Sequence, residues 1–175
     1  EYNDRFGETP NQFAADGYRI EGDSVALQGA GGTTTIRVGD GTTAGASMTA
    51  TIGSALTGSS TLVKNDLGTL VLTGANTYTG GTQIAAGTLV GTAGSIRGDI
   101  ANAGTVRFDQ AADASFAGKI AGLGGTNGVM IKSGVGNLTL TGTSSLDWAI
   151  RAGGLSTDAS RFTGNASIQA DANLT

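Results

Sequence analysis

The chain has 175 residues, 31 of them glycine, with one proline and neither cysteine nor histidine. Absent thiols exclude disulfides and thiolate metal sites, and absent imidazoles exclude the commonest general base and any Ser-His-Asp triad. The net charge is −4 and the ten Lys and Arg residues form no run, so the clustered cations that nucleic acid or an anionic membrane surface requires are missing.

Residues 1–16 carry charge, the only proline (Pro10) and little alternation, and are expected to be irregular or to cap one end. From residue 17 to 175 apolar residues recur at alternate positions between glycines. Tyr18-Arg-Ile, Val25-Ala-Leu and Thr35-Ile-Arg-Val open the pattern. In the stretch Gly68 to Gly74, Leu70 and Leu72 share a face; in Gly136 to Gly142, Leu138 and Leu140 do so. The second stretch has Asn137, Thr139 and Thr141 on its other face, which decides that the leucines are the buried set. Glycine ends each run because tight corners need positive φ. No segment shows a 3.6-residue period free of glycine, and none is apolar for the 18 or so residues of a membrane helix.

An internal duplication organises the pattern, relating residues 52–89 to 120–155. Ile52 matches Ile120, Lys64 matches Lys132, Gly68 matches Gly136, and Leu70, Leu72 and Gly74 match Leu138, Leu140 and Gly142. Past Tyr78 the offset falls from 68 to 66, so that Ile84, Gly87 and Leu89 match Ile150, Gly153 and Leu155. Two residues are lost at the tip Thr79-Gly80-Gly81, where a turn accepts a length change.

Strands of three to five residues with glycine corners cannot hold a core singly; stacked in parallel they bury a continuous interior. The expected fold is all-β, a right-handed parallel β-helix with three short strands per coil. Coils of roughly 20 residues would give about seven layers and a rod about 34 Å long at about 4.8 Å per layer. An antiparallel sandwich or barrel is the alternative, because Asp16-Gly17, Asp40-Gly41 and Asn127-Gly128 are hairpin-type pairs.

Residues 62–89 resemble the passenger-associated transport repeat of autotransporters, the type V secretion family. Its pattern of a Lys, a small-and-glycine corner, Gly-Thr-Leu-x-Leu-Thr-Gly-x-Asn-x-Tyr-x-Gly-Gly-Thr and a closing Gly-Thr-Leu is followed almost throughout. Asp66-Leu67 departs from the usual Gly-small pair and is expected to loosen one turn. Residues 132–142 keep the first half of the pattern, and Ser144-Ser-Leu-Asp-Trp148 replaces the tip. The resemblance implies a passenger exported through the periplasm to the bacterial outer membrane and cell surface, and either held there or released extracellularly. It implies as partners the passenger's own C-terminal outer-membrane β-barrel, host cell-surface or matrix components, or a second copy through self-association, with no nucleic acid. The sequence reads as a piece of a longer polypeptide.

Catalytic chemistry is sought without success. Asp109 and Asp113 with Arg107 are the best acid pair, and read as a strand end and a turn cap. Asp158 with Arg161, and Glu21 with Asp23, read as surface charges. Residues 122–128 lack the Gly-Lys-Ser/Thr ending of a phosphate loop, and Asp40-Gly41 lacks a calcium-repeat register. Trp148 is expected to stack on a loop over the core, Tyr78 and Phe116 to pack similarly, and Phe108 and Phe162 to face inward. No catalytic, cofactor or metal residue is assigned, and a binding residue is left unknown. The expected function is a structural stem that supports surface display, folding during secretion and adhesion, and not an enzyme. The alternative is a β-helix that binds or cleaves polysaccharide, which would need a lateral groove with converging carboxylates or stacked aromatics.

Overall fold

A computed structural model describes residues 11–175 and, as backbone, the strand Arg5–Phe6. It is a parallel β-helix whose chain passes in turn along three sides. The second side is a six-stranded sheet running from Asn11–Phe13 through Thr33–Val38, Thr61–Asn65, Thr82–Ile84 and Ile100–Asn102 to Ile120–Gly122. The third is an eight-stranded sheet, from Tyr18–Ile20 through Thr49–Ile52, Thr69–Leu72, Thr88–Gly91, Thr105–Asp109, Val129–Ser133 and Trp148–Ile150 to Ala166–Ile168. The first side holds two sheets. One is Arg5–Phe6, Val25–Leu27 and Leu56–Gly58; the other is Ala114–Phe116, Asn137–Leu140, Gly153–Thr157 and Ala172–Leu174.

Between those two sheets the first side continues without regular strands. Thr77 N–H donates to Leu56 O at 2.8 Å, and Asn76 Nδ2 donates to Ser95 O at 2.7 Å, carrying the layers across. Lower down, glycines stack at one corner. A Cβ on Gly118 would lie 2.2 Å from Gly98 O, and one on Gly142 2.3 Å from Gly118 O. Only hydrogen side chains let these corners nest at sheet spacing.

Among the described residues every strand pairing is parallel. That rules out the sandwich or barrel; among the described residues the one antiparallel bridge, Leu123 with Thr126, closes a small hairpin that projects from a corner. Successive strands of one sheet are joined through the other two sides, a crossover that is right-handed in nearly all proteins. Eight strands in the longest sheet, at about 4.8 Å apart, span about 34 Å.

Register follows the sequence alternation. Thr69, Leu70 and Val71 lie beside Thr88, Leu89 and Val90, and these beside Thr105, Val106 and Arg107. The leucine and valine of the inner column are fully buried, as are Ile36, Leu62, Leu138 and Leu155. Each such side chain contributes about 1.5–3 kcal/mol of burial. Phe108 stacks on Trp148 at 6.0 Å and tilts against Phe116 at 5.2 Å, so three aromatic residues fill one section of the interior. Trp148 is therefore a core residue rather than a cover over a loop. Tyr78 and Phe116 are buried as well, whereas Phe162 is half-buried.

Within the segment 1–16, expected to be irregular or to cap one end, the described residues Asn11–Phe13 form a strand. Asn11, Gln12 and Phe13 pair in register with Ile36, Arg37 and Val38. Phe13 packs into the core and tilts against Tyr18 at 5.6 Å. A three-residue strand with two polar members, Asn11 and Gln12, shows too little alternation to be seen in sequence. Residues 1–4 and 7–10 lie outside the described residues.

Candidate functional site

The stretch 62–90 passes along five successive sides, from Thr61–Asn65 on the second to Thr88–Gly91 on the third, and its polar consensus residues point inward. In Thr61–Asn65, Leu62 and Lys64 take the buried positions, while Thr61, Val63 and Asn65 are partly open. Lys64 is fully buried, and its Nζ donates to Asn65 O at 2.9 Å, Asp66 O at 2.7 Å and Ala86 O at 3.2 Å. Two of these carbonyls belong to its own corner and the third to the corner of the next layer. Burial pushes the ammonium down to about 8, with the Asp66 charge opposing. Three carbonyl acceptors call for three donated hydrogens, which only the protonated amine has.

Asp66 corrects the expectation of a loosened turn. It adopts φ +67°, the conformation taken at the matching corner of the second copy by Gly134 at +76°. The strain of a non-glycine residue there is offset by its carboxylate. Oδ1 accepts Leu67 N–H at 2.8 Å; Oδ2 accepts Gly41 N–H at 3.1 Å and an Arg37 Nη2 hydrogen at 3.2 Å. The Leu67 amide, opposed by partial burial and then reinforced by Arg37 and Gly41, holds this carboxyl below the usual range. The turn is tied to the preceding layer.

The Asn-x-Tyr tip crosses three layers. Asn76 Oδ1 accepts Leu56 N–H at 2.7 Å, one layer back, while its Nδ2 reaches Ser95, one layer on. The Tyr78 hydroxyl meets Thr82 Oγ1 at 2.7 Å and accepts Arg97 N–H at 3.1 Å; Thr82 Oγ1 in turn donates to Arg97 O at 2.8 Å. Burial raises the Tyr78 phenol, so it stays protonated and can donate.

The second copy performs the same tasks one side further round. Lys132, also fully buried, donates to Ser133 O at 2.8 Å, Gly134 O at 2.8 Å and Ala152 O at 3.1 Å. Burial lowers its pKa, with Asp109 and Asp113 opposing. Lys64 stands on the second side and Lys132 on the third; Leu70 stands on the third and Leu138 on the first. At the tip, buried Asn76, Tyr78 and Thr82 give way to buried Ser144, Leu146 and Trp148. The aromatic ring has moved one buried position along, from the place of Tyr78 to that of Thr82, and Trp148 Nε1 donates to Ser144 Oγ at 2.9 Å. Ile120 departs from the sequence match. It opens its strand as Leu56 does, not as Ile52 does, because the corner hairpin at 122–128 adds residues before Lys132.

The acid residues singled out from sequence serve corners. Asp109 ends its strand and accepts Ser133 Oγ at 3.1 Å, and Asp113 accepts Asn137 N–H at 2.7 Å. Arg107 lies in the strand register beside Val90 and Ile131, with its Nε buried. Asp158 accepts Ser160 N–H at 2.8 Å and its hydroxyl, which hold its carboxyl below the usual range, while Arg161 Nη1 donates to Thr141 O at 2.7 Å. Glu21 pairs with Arg19 on the surface. Asp40 caps a turn through Thr42 N–H at 2.9 Å, and residues 122–128 form the corner hairpin. Among the described residues no three acidic side chains come together as a metal cage, and no helix is long and apolar enough to cross a membrane.

The two lysines do not stand out in the sequence, where they belong to ten cations that form no run. The signal was present: each occupies the inward phase of an alternating strand, and the duplication repeats it.

A parallel β-helix whose layers are fastened by this repeat is the build of an autotransporter passenger, and comparison with known proteins agrees. The family model described as passenger-associated-transport-repeat matches residues 62–90. Residues 62–90 therefore carry such a repeat, and the similarity is to autotransporter passengers. It is 43% identical over 152 residues, 75% of its length, to a protein named adhesin BmaC autotransporter from Brucella suis biovar 1 (strain 1330), and spans 4% of that relative's length. No solved structure matches it.

Proposed function

We propose that this stretch is a structural stem segment of a bacterial autotransporter passenger. It supports folding during secretion and display at the cell surface, and carries an adhesive part of the parent protein toward host or neighbouring cells. The observation that carries the reading is the inward placement of the repeat's polar residues. Lys64, Asn76, Tyr78 and Thr82 each bond outside their own layer or brace a residue that does, so a layer already folded offers fixed donors and acceptors to the next. The name of the Brucella relative supports the adhesive role. The partner within the parent is its own C-terminal outer-membrane β-barrel; passage is through the periplasm, and the passenger stays attached or is released.

The test is display of the full-length parent on cells with residues 62–89 deleted. The stem role predicts a clear fall in surface signal with the precursor retained in the periplasm or degraded. Normal display of an intact deletion product would overturn it. The purified chain is expected neither to cleave nor to bind polysaccharides tightly, and turnover on any of a panel would replace the stem reading with the enzymatic one.

A further inference from the structure

Asn127-Gly128 is the one Asn-Gly pair of the chain. In sequence it reads as a hairpin turn, but the turn of the corner hairpin is Gly124-Gly125, at φ +59° and +83°, closed by Leu123 and Thr126 through two bonds of 3.0 Å. Asn127 and Gly128 instead lead the chain from the hairpin into the strand Val129–Ser133. This junction is chemically labile, because glycine has no side chain to shield its nitrogen from the asparagine before it. The Gly128 nitrogen gives its proton to water and attacks Asn127 Cγ. An N–C bond forms, the Cγ–Nδ2 bond breaks and ammonia leaves. Water then opens the imide at either carbonyl, giving aspartate or isoaspartate. The sum is water taken up and ammonia released, and both products add a negative charge.

The two halves of the pair are held differently. Asn127 is exposed, with its Oδ1 against Gly122, whereas Gly128 is buried. Gly128 N–H donates to Asn102 O at 2.8 Å, and Val129 N–H to Gly104 O at 2.9 Å. A Cβ on Gly128 would lie 2.5 Å from both Asn102 Cγ and Gly104 O, so the preceding layer walls it in. Asn102 is fully buried and fixed by its own amide: Oδ1 accepts Gly104 N–H at 2.9 Å, and Nδ2 donates to Val129 O at 3.1 Å. Cyclisation must turn the Gly128 nitrogen from Asn102 O toward Asn127 Cγ, and the wall leaves no room for that turn. Reaction in the folded chain therefore waits on local opening of the layer.

We propose that Asn127 is a site of spontaneous conversion to aspartate and isoaspartate, which stacking of Gly128 on Asn102 and Gly104 suppresses. The modification then accumulates in chains that remain unfolded, and marks the time a chain has spent before its layers stack. The proposal does not depend on the stem reading.

The test is conversion in the purified parent passenger at mildly alkaline pH, folded and in guanidinium chloride. It is followed by mass spectrometry of the tryptic peptide Ile120 to Lys132, with isoaspartate separated from aspartate. Conversion is expected in denaturant and roughly a hundredfold more slowly in the folded protein. Asn127→Gln should abolish it in both. Asn102→Ala, which removes the wall at Gly128, should speed conversion in the folded protein about tenfold and leave the rate in denaturant unchanged. Protected amides at Val106 and Met130 would verify that this variant keeps its stacked strands; if it does not, Asn102→Asp, which keeps Oδ1 and loses the bond to Val129, takes its place. Equal rates in folded and denatured wild type would overturn the proposal, as would no conversion in denaturant. So would a folded Asn102 variant that converts as slowly as the wild type.

Discussion

Replacing Lys64 with methionine keeps the stem of the side chain and removes the ammonium. Three carbonyls, of Asn65, Asp66 and Ala86, then lose their donor. Each buried acceptor left without a partner costs about 1–3 kcal/mol, so the gross loss is about 6 kcal/mol. Against this stands relief from burying a charge. A fall from 10.5 to about 8 corresponds to about 3 kcal/mol of unfavourable desolvation that methionine does not suffer. The net expectation for Lys64→Met is a loss of about 3 kcal/mol at pH 7, read by urea unfolding at 25 °C. The pH dependence carries a separate sign. The folded chain holds fewer protons on Lys64 than the unfolded chain between about 8 and the ordinary 10.5. Unfolding therefore takes up protons in that window, and stability should rise with pH through it. Lys64→Met should flatten that rise. A variant as stable as the wild type, or more stable, would show that the carbonyls find water without difficulty and that the lysine does not fasten the layers.

Other substitutions test the remaining fastenings by the same measurement. Asn76→Leu should cost about 2–4 kcal/mol, since it strands Leu56 N–H and Ser95 O together; a cost under about 1 kcal/mol would count against a bridge across three layers. Trp148→Phe should lose about 1 kcal/mol with the bond to Ser144, whereas Trp148→Ala should lose about 3–5 kcal/mol by also opening a cavity beside Phe108. Similar losses for the two variants would contradict the packing. For Asp66 the folded carboxyl is held below its ordinary value, so its contribution is present above the normal carboxylate range and lost as pH falls through the lowered one. Asp66→Ala should therefore weaken the acid dependence of stability, and an unchanged acid limb would refute the tie to Arg37 and Gly41.

Much of the architecture was written in the alternation. Leu70 with Leu72 and Leu138 with Leu140 announce short strands with one buried face, and glycine corners spaced by roughly 20 residues leave stacking as the way to bury them. What escaped was chemistry that violates the ordinary rule of charge outside. Lys64 and Lys132 sit in a file of leucines and isoleucines, yet a lysine at an inward phase looks in isolation like a surface residue. Its three acceptors come from two corners 20 or so residues apart, so no local window contains them. Asp66 was misjudged for a related reason. Its cost in φ is local and legible, while its compensation by Arg37 and Gly41 is contributed by the preceding layer. Trp148 looked like a tip residue because the two-residue deletion moves the ring to the position of Thr82.

The two lysine clamps lie three whole layers and one side apart. A unit of 66–68 residues thus leaves its successor rotated by a third of a turn about the shaft. Three such units in tandem would return to the starting direction, like steps of a spiral staircase. Whatever their tips and corner hairpins carry would face every approach in turn. The interior must then accept the same fastenings on any of its walls, which frees length changes by thirds of a turn from the need to preserve facing.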